Sequence, residues 1–193
     1  ILDTGSGEIK IFSNKNCCFE YRDSIFKQKR GEGFIILKIN LKLSKNKEPN
    51  INYPDLAKRF EGKKPTISEI RSAVIDIRRN KLPYPNEIGN AGSFFKNPTI
   101  KISNFKFLIS KYPDLKGWEV GNGLIKLSAA QLIEKCGWKG KTFGNVGVSE
   151  KHSLVLVNYK KGTAKEIIDL ADRIKRSIKD EFRVDLEPEI EVI

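Results

Sequence analysis

The hydrophobic period changes along this chain, and that change restricts the fold more than any other feature. Between Gly33 and Leu43 apolar residues occupy every second position, which is typical of a strand with one apolar face. From Thr66 onwards apolar residues recur every three to four positions, which is typical of helices packed on a core. Early strands followed by dominant helices predict an α+β fold, with a division between Ser44 and Thr66.

Two capping boxes predict where the principal helices begin. Thr66 is followed by Glu69 and Thr163 by Glu166, so each pair can satisfy two backbone N–H groups of a first turn. The first helix should end before Pro83, which has no N–H to donate. The side chains predicted to face the core are Ile67, Ile70, Val74 and Ile77 in the first helix, and Ile167, Ile168, Ala171, Ile174, Ile178 and Phe182 in the second.

Shorter apolar segments predict the remaining elements. They are a strand at Glu8 to Phe12, a helix capped by Ser103, a helix around Ala129 to Cys136, a strand at His152 to Tyr159 and an extended end over 184–193.

Composition excludes several classes of protein. No apolar run approaches the roughly 20 residues that span a bilayer, so no membrane partner is expected. Three cysteines and one histidine make neither a disulfide framework nor a convincing metal site, and they favour a reducing cytoplasm. The chain has no methionine and starts at Ile1, so we expect a processed chain or a piece of a longer one.

The net charge of +12 leaves two interpretations open. One is binding to something negatively charged, either nucleic acid on a basic α+β module or an anionic ligand, and the other is a Lys-rich surface that keeps the chain in solution. The basic residues are spread along the chain and mixed with acidic ones, which favours the second interpretation.

Three segments carry residue types suited to chemistry. Gly89 to Pro98 combines glycines, Ser93, two phenylalanines and a Lys-Asn pair, which suits either close approach to a ligand or a tight turn above a core. Arg22, between aromatic residues, should be partly buried against Asp23 or a substrate carboxylate. Glu189 lies in a Glu-Pro-Glu segment that is either functional or a solvated edge strand.

Together these segments resemble one family. Tyr-Arg-Asp-Ser at 21–24, Gly-Ser-Phe-Phe-Lys-Asn-Pro at 92–98 and Glu-Pro-Glu at 187–189 are similar in order and spacing to UDP-N-acetylenolpyruvoylglucosamine reductases. These enzymes of peptidoglycan precursor synthesis use FAD and NADPH to reduce an enolpyruvyl group on a UDP-sugar. The resemblance extends over essentially the whole chain. A paralogue without activity is disfavoured by the intact Arg22, Ser93 and Glu189.

The resemblance implies roles for particular residues. Ser93 corresponds to the proton donor, while Arg22 and a protonated Glu189 correspond to the pair that stabilises the enolate-like intermediate. Tyr53 corresponds to the tyrosine on a loop that closes over the diphosphate in the longer variant of the family. The other implied substrate-binding residues are Lys81, Asn97 and Trp118, the last standing where the family often has a tyrosine.

The resemblance also implies a domain layout. Residues 1–66 correspond to the end of an FAD-binding α+β subdomain, 67–185 to an α+β substrate-binding domain, and 186–193 to a return strand. Most of the family's FAD site precedes the segment that matches residue 1. We therefore expect this chain alone to bind neither FAD nor NADPH tightly and to lack reductase activity. We also expect it to be a monomer.

Overall fold

The structure is a computed structural model that describes residues 1–45 and 47–191. The last residues of the predicted extended end, 192–193, lie outside the described residues. Two compact units are present, Ile1–Pro49 and Asn50–Ile193. Helices and antiparallel strands occur together, which confirms the α+β class. The domain boundaries at 66 and 185 remain predictions.

The first unit contains little regular structure. Its strands β1 (Leu2–Asp3) and β2 (Phe34–Ile35) pair antiparallel, and α1 (Asn14–Cys17) is a single turn. Two 3-10 turns follow α1, at Ile25–Lys27 and Lys29–Gly31.

The predicted long strand of the first unit is wrong beyond Ile35. Residues 36–43 form no helix or strand, and the side chains of Leu41 and Leu43 are 77% and 84% exposed. A strand needs a neighbour to accept and donate its backbone hydrogen bonds, and β1 supplies only two residues. The strand predicted at Glu8 to Phe12 is likewise reduced to one bridge, between Ile9 and Leu2.

The second unit contains the remaining elements. Its helices are α2 (Pro54–Arg59), α3 (Ile67–Lys81), α4 (Ile102–Lys111), α5 (Ala129–Lys135) and α6 (Ala164–Phe182). Its strands are β3 (Gly89–Ser93), β4 (Thr99–Lys101), β5 (Gly117–Glu119), β6 (Leu124–Leu127), β7 (Thr142–Phe143), β8 (Val146–Val148) and β9 (Val155–Asn158). They form two antiparallel sheets, in the orders β3-β9-β8-β7 and β4-β6-β5.

Both predicted capping boxes are confirmed. The Thr66 hydroxyl accepts the N–H of Glu69, and the Thr163 hydroxyl accepts the N–H of Glu166, at 3.3 Å in each case. The predicted inner face of α6 is also confirmed for four residues that are buried in the core, namely Ala171, Ile174, Ile178 and Phe182. Leu170, which was not predicted, is buried with them.

The inner face predicted for α3 is partly wrong. Ile67 is 72% exposed and Val74 is 37% exposed, because α2 covers α3 along a line that begins one turn after Ile67 and does not include Val74. That line contains Ile70, Ala73 and Ile77, which pack against Leu56 and Phe60 of the α2 segment. The predicted cap Ser103 is wrong too, since α4 begins at Ile102 without a side-chain cap.

The large core of the second unit lies between its sheets and the helices α4, α5 and α6. Its fully buried side chains include Leu132, Val155 and Ile174. Phe94 and Phe95 belong to this core, so the segment around Ser93 is fixed by packing on one side. Their burial agrees with the tight turn above a core, which was one of the two alternatives that the sequence left open for this segment.

Candidate functional site

Ser93 follows a bulge in β3. Asn90 lies opposite Val157 and Ser93 opposite Val155, so three residues advance on β3 while two advance on β9. Gly92 takes up the extra residue with φ +73°, a conformation that side chains other than glycine rarely adopt. Bulges of this kind redirect the next side chain, which here is Ser93.

The Asn90 side chain fixes that bulge. Its Oδ1 accepts the N–H of Gly92 at 3.0 Å, and its Nδ2 donates to the carbonyl oxygens of Pro83 at 3.2 Å and Ile88 at 2.9 Å. Sequence reasoning missed this role. The available signal was an asparagine two residues before a glycine, which is typical of a side chain that closes a turn on its own backbone.

The structure brings Glu189 next to the Ser93 segment. The N–H of Glu189 donates to the carbonyl oxygen of Phe94 at 2.8 Å, and the N–H of Lys96 donates to that of Glu187 at 2.9 Å. On its other edge the same segment is held by the N–H of Phe94, which donates to the carbonyl oxygen of Leu154 at 2.8 Å. Ser93 and Glu189 therefore lie on adjacent backbone segments, which are spaced by about 4.8 Å in such pairings.

A cleft of about 250 Å³ adjoins the bulge. One wall is formed by β3 from Asn90 to Gly92, and the other by the end of α3 and the proline-rich segment after it. The lining is mostly apolar, with the Arg78 side chain as a positive group. The residues of β3 that line the cleft thus directly precede Ser93 in the chain.

The structure also brings Tyr53 and Lys81 together. The Lys81 ammonium group donates to the Tyr53 hydroxyl at 3.2 Å and lies 5.2 Å from the centre of its ring. The same ammonium group forms an ion pair with the carboxylate of Asp55. That carboxylate, followed by the Tyr53 hydroxyl, raises the pKa of Lys81, so the ammonium group stays charged.

Asn97 and Trp118 occupy different surroundings. The Asn97 Oδ1 accepts the N–H of Ala129 at 3.0 Å and so caps the first turn of α5. A contact from Asn97 to a substrate would therefore use its amide nitrogen. Trp118 lies on β5, at the edge of the three-stranded sheet, opposite Lys126, and is 52% exposed.

Arg22 belongs to the first unit, and its predicted partial burial is wrong because the residue is exposed. It stands at the tip of a tight turn, closed by the N–H of Glu20 donating to the carbonyl oxygen of Asp23 at 3.0 Å. Arg22 has φ +57°, and such a conformation in a residue other than glycine is enriched at functional sites.

His152, the single histidine, has a structural contact. Its Nδ1 accepts the N–H of Leu154 at 3.2 Å, so the neutral ring carries its proton on Nε2. Burial lowers the pKa of His152, and the positive charge of Lys81 lowers it further. Protonation would also break the contact to Leu154.

Replacing His152 by asparagine is expected to reduce the loss of stability at mildly acidic pH. The unfolded chain binds a proton on His152 at about pH 6.5, above the folded-state pKa, so stability falls as the pH drops below that value. Asparagine keeps an acceptor for Leu154 but does not titrate. Urea unfolding midpoints of both proteins at about pH 7.5 and pH 5 measure the effect. Equal losses in the two proteins would contradict it.

Among the described residues, no three His, Cys, Asp or Glu side chains cluster as metal ligands would. No helix over 1–45 and 47–191 has the length and apolar character needed to cross a membrane.

Comparison with known proteins decides the family. Residues 83–193 match the family model described as "UDP-N-acetylenolpyruvoylglucosamine reductase, C-terminal domain". The matched range covers more than half of the chain and includes Ser93 and Glu189. The chain belongs to this reductase family. Membership confirms the resemblance carried by the three sequence segments, and it replaces the alternative of a nucleic-acid-binding module.

Curated members of the reductase family match nearly the whole chain. The relative from Pasteurella multocida is 41% identical over 193 residues, covering 100% of this chain and 56% of the relative. The relative from Amoebophilus asiaticus is 44% identical over 195 residues, covering 100% of this chain and 58% of the relative. That from Flavobacterium johnsoniae is 40% identical over 190 residues, covering 96% and 56%. The chain thus spans a little over half the length of the curated reductases it matches.

This chain is also similar to a solved structure. It is the UDP-N-acetylenolpyruvylglucosamine reductase of Thermus caldophilus, with 24% identity and a TM-score of 0.40 over 67% of this chain and 36% of that one.

Proposed function

We propose that this chain is the substrate-handling part of a reductase that converts UDP-N-acetylglucosamine enolpyruvate to UDP-N-acetylmuramate, with NADPH as reductant and FAD as carrier. The reaction belongs to peptidoglycan precursor synthesis, and we expect it in the cytoplasm. The observation that carries the proposal is the family match across Ser93 and Glu189, together with the bulge and backbone pairing that hold these two residues on adjacent segments.

The residues around Gly92 fit the approach of a flat ring such as flavin. Apart from Gly92 and its two neighbours in the chain, no residue has an atom within 4 Å of the position that a Cβ would take at Gly92, so the backbone surface is open there. Reduction of the enolpyruvyl double bond needs one hydride and one proton, and FAD supplies the hydride when it is bound. The chain's own residues bind the substrate and supply the proton.

Ser93 donates the proton in this proposal. Hydride addition at the terminal carbon of the double bond leaves enolate character on the carbon that bears the carboxylate. Such a carbon is basic enough to take a proton from a hydroxyl group, and the Ser93 oxygen then recovers a proton from water. The packed Phe94 and Phe95 on one side and the Asn90 contacts on the other fix the backbone that carries this hydroxyl.

Arg22 and Glu189 stabilise the charge that develops on the substrate carboxylate. A guanidinium group does so as a cation with several fixed donors. Glu189 contributes only in its protonated form, in which it donates a hydrogen bond, because an ionised carboxylate would repel the same charge. We propose these roles for the complete catalytic assembly.

Tyr53 and Lys81 bind the UDP diphosphate. Their contact places a phenolic hydroxyl and an ammonium group 3.2 Å apart, which suits two neighbouring phosphate oxygens. Trp118, as an exposed ring, would stack on the ligand without the hydroxyl of a tyrosine. Asn97 would contribute its amide nitrogen. The chain alone remains predicted to be a monomer.

Replacing Lys81 by methionine is expected to weaken binding of UDP to this chain by about tenfold, since one charge-assisted hydrogen bond is lost. Titration with UDP, followed by NMR shifts of backbone amides, measures this. Lys111→Met is the matched control, because Lys111 also pairs with an acid, Glu181 at 2.9 Å, and lies 5.1 Å from a tyrosine ring centre. Equal affinities of the two variants would contradict the assignment of Lys81.

A further inference from the structure

Asp55 is the one member of the Tyr53–Asp55–Lys81 cluster that the proposed reaction does not use. Asp55 lies in the first turn of α2, directly after Pro54, and Lys81 is the last residue of α3. The two residues are 26 positions apart in the chain, yet their side chains form an ion pair. The packing of Leu56 and Phe60 against Ala73 fixes the distance between the two helices and hence this pair.

The Lys81 ammonium group has three N–H donors. Asp55 accepts one and the Tyr53 hydroxyl accepts another, so a diphosphate that binds Lys81 through two oxygens needs the donor that the internal carboxylate occupies. Carboxylate and phosphate oxygens compete for ammonium donors in the same way, since both are anionic acceptors.

We propose that Asp55 is a specificity-determining residue that acts as an internal competitor, holding Lys81 until a diphosphate displaces it. The inference rests on the proposed binding of diphosphate by Tyr53 and Lys81. Displacement costs little, because the side chains of Lys81 and Asp55 are 42% and 40% exposed and such pairs contribute weakly. A ligand with one weak negative charge gains less from Lys81 than a diphosphate, so the contact favours diphosphates.

The charges indicate that Asp55 competes with the diphosphate for Lys81 and does not assist its binding. A diphosphate that binds Lys81 lies next to the carboxylate of Asp55, because both contact the same ammonium group. Two negative charges so close together repel each other. Removing the carboxylate removes both the repulsion and the need for displacement. If Asp55 merely held Lys81 in place for the ligand, its removal would weaken binding instead.

The test is the affinity of this chain for UDP, measured by NMR titration for wild type and Asp55→Asn. We expect Asp55→Asn to bind UDP about two- to fivefold more tightly, the range for one exposed ion pair. Asp76→Asn is the matched control. Asp76 pairs with Arg59 at 3.0 Å, joins the same two helices and has 48% side-chain exposure, but it does not contact Lys81. Its affinity should equal that of wild type.

A double variant separates competition from a general change of charge. In a Lys81→Met background, Asp55→Asn should leave the UDP affinity unchanged, because there is no ammonium group left to share. Unchanged or weaker binding by Asp55→Asn alone, or tighter binding that persists without Lys81, would overturn the inference while leaving the diphosphate site intact. If Lys81→Met left the UDP affinity unchanged, or if no variant bound UDP, the proposed diphosphate site would be wrong and the inference would fall with it.

Discussion

Replacing Ser93 by alanine is expected to slow reduction of the enolpyruvyl substrate by about 10²- to 10⁴-fold, the range for loss of a positioned proton donor. The half-reaction that consumes NADPH should keep nearly its normal rate, because it needs no proton from Ser93. The backbone of the bulge should persist as well, since the contacts of Asn90 do not involve the serine hydroxyl.

The experiment needs a complete flavin site. We would use a chimaera in which this chain replaces the matching part of the Pasteurella multocida relative, which is 41% identical over 193 residues. Rapid mixing then follows the flavin absorbance separately with NADPH and with the enolpyruvyl substrate. Ser103→Ala, at an exposed position on α4, is the control and should change neither rate. A Ser93→Ala chimaera that reduces the substrate at the parent rate would remove Ser93 from the role of proton donor.

Replacing Phe95 by alanine is expected to lower the free energy of unfolding of the second unit by about 3–5 kcal/mol, the cost of deleting a buried aromatic side chain. Phe95 is 1% exposed, lies with its ring centre 5.0 Å from that of Phe94, and forms the backbone bridge to Pro188. The loss should therefore extend to the segment that carries Glu189.

Urea unfolding of this chain measures the stability, and hydrogen exchange of the Glu189 N–H measures the attachment of its segment to Phe94. Phe107→Ala is the control, because Phe107 is 72% exposed and its removal should cost about 0.5 kcal/mol or less. If Phe95→Ala were as stable as Phe107→Ala, the packing that we assign to the Ser93 segment would be wrong.

The helices were predictable because their signals are local. In a capping box the interacting residues are three positions apart. Thr66 and Thr163 therefore predict the starts of their helices from the local sequence alone. Which side chains of a helix are buried depends on its neighbours, and for that reason the sequence pattern misassigns Ile67 and Val74 on α3.

Strands and bulges were less predictable because they depend on distant partners. The alternation after Gly33 indicates which side chains share a face, but a strand also needs a neighbouring strand to pair with. Within the part of the chain that the structure describes, the pairing of this strand with β1 ends at Ile35. The sequence pointed to Ser93 and Glu189 separately. Their backbone proximity arises from hydrogen bonds across about ninety residues, as does the analogous pairing of Lys96 with Glu187.

The binding residues show the same limit. Tyr53 and Lys81 were named from the resemblance, whereas Asp55 had no local signal, because its partner is 26 positions away. The sequence does not indicate the exposure of Arg22, because Phe19, an aromatic neighbour that suggested burial, is itself 61% exposed.

The most direct test of the proposed function is NADPH oxidation by the unsubstituted chimaera with and without UDP-N-acetylglucosamine enolpyruvate. If this chain handles the substrate, the chimaera should oxidise NADPH continuously only when the enolpyruvyl substrate is present, with UDP-N-acetylmuramate as the product. A folded, flavin-bound chimaera that oxidises NADPH at the same rate without the substrate, and forms no UDP-N-acetylmuramate, would contradict the proposal.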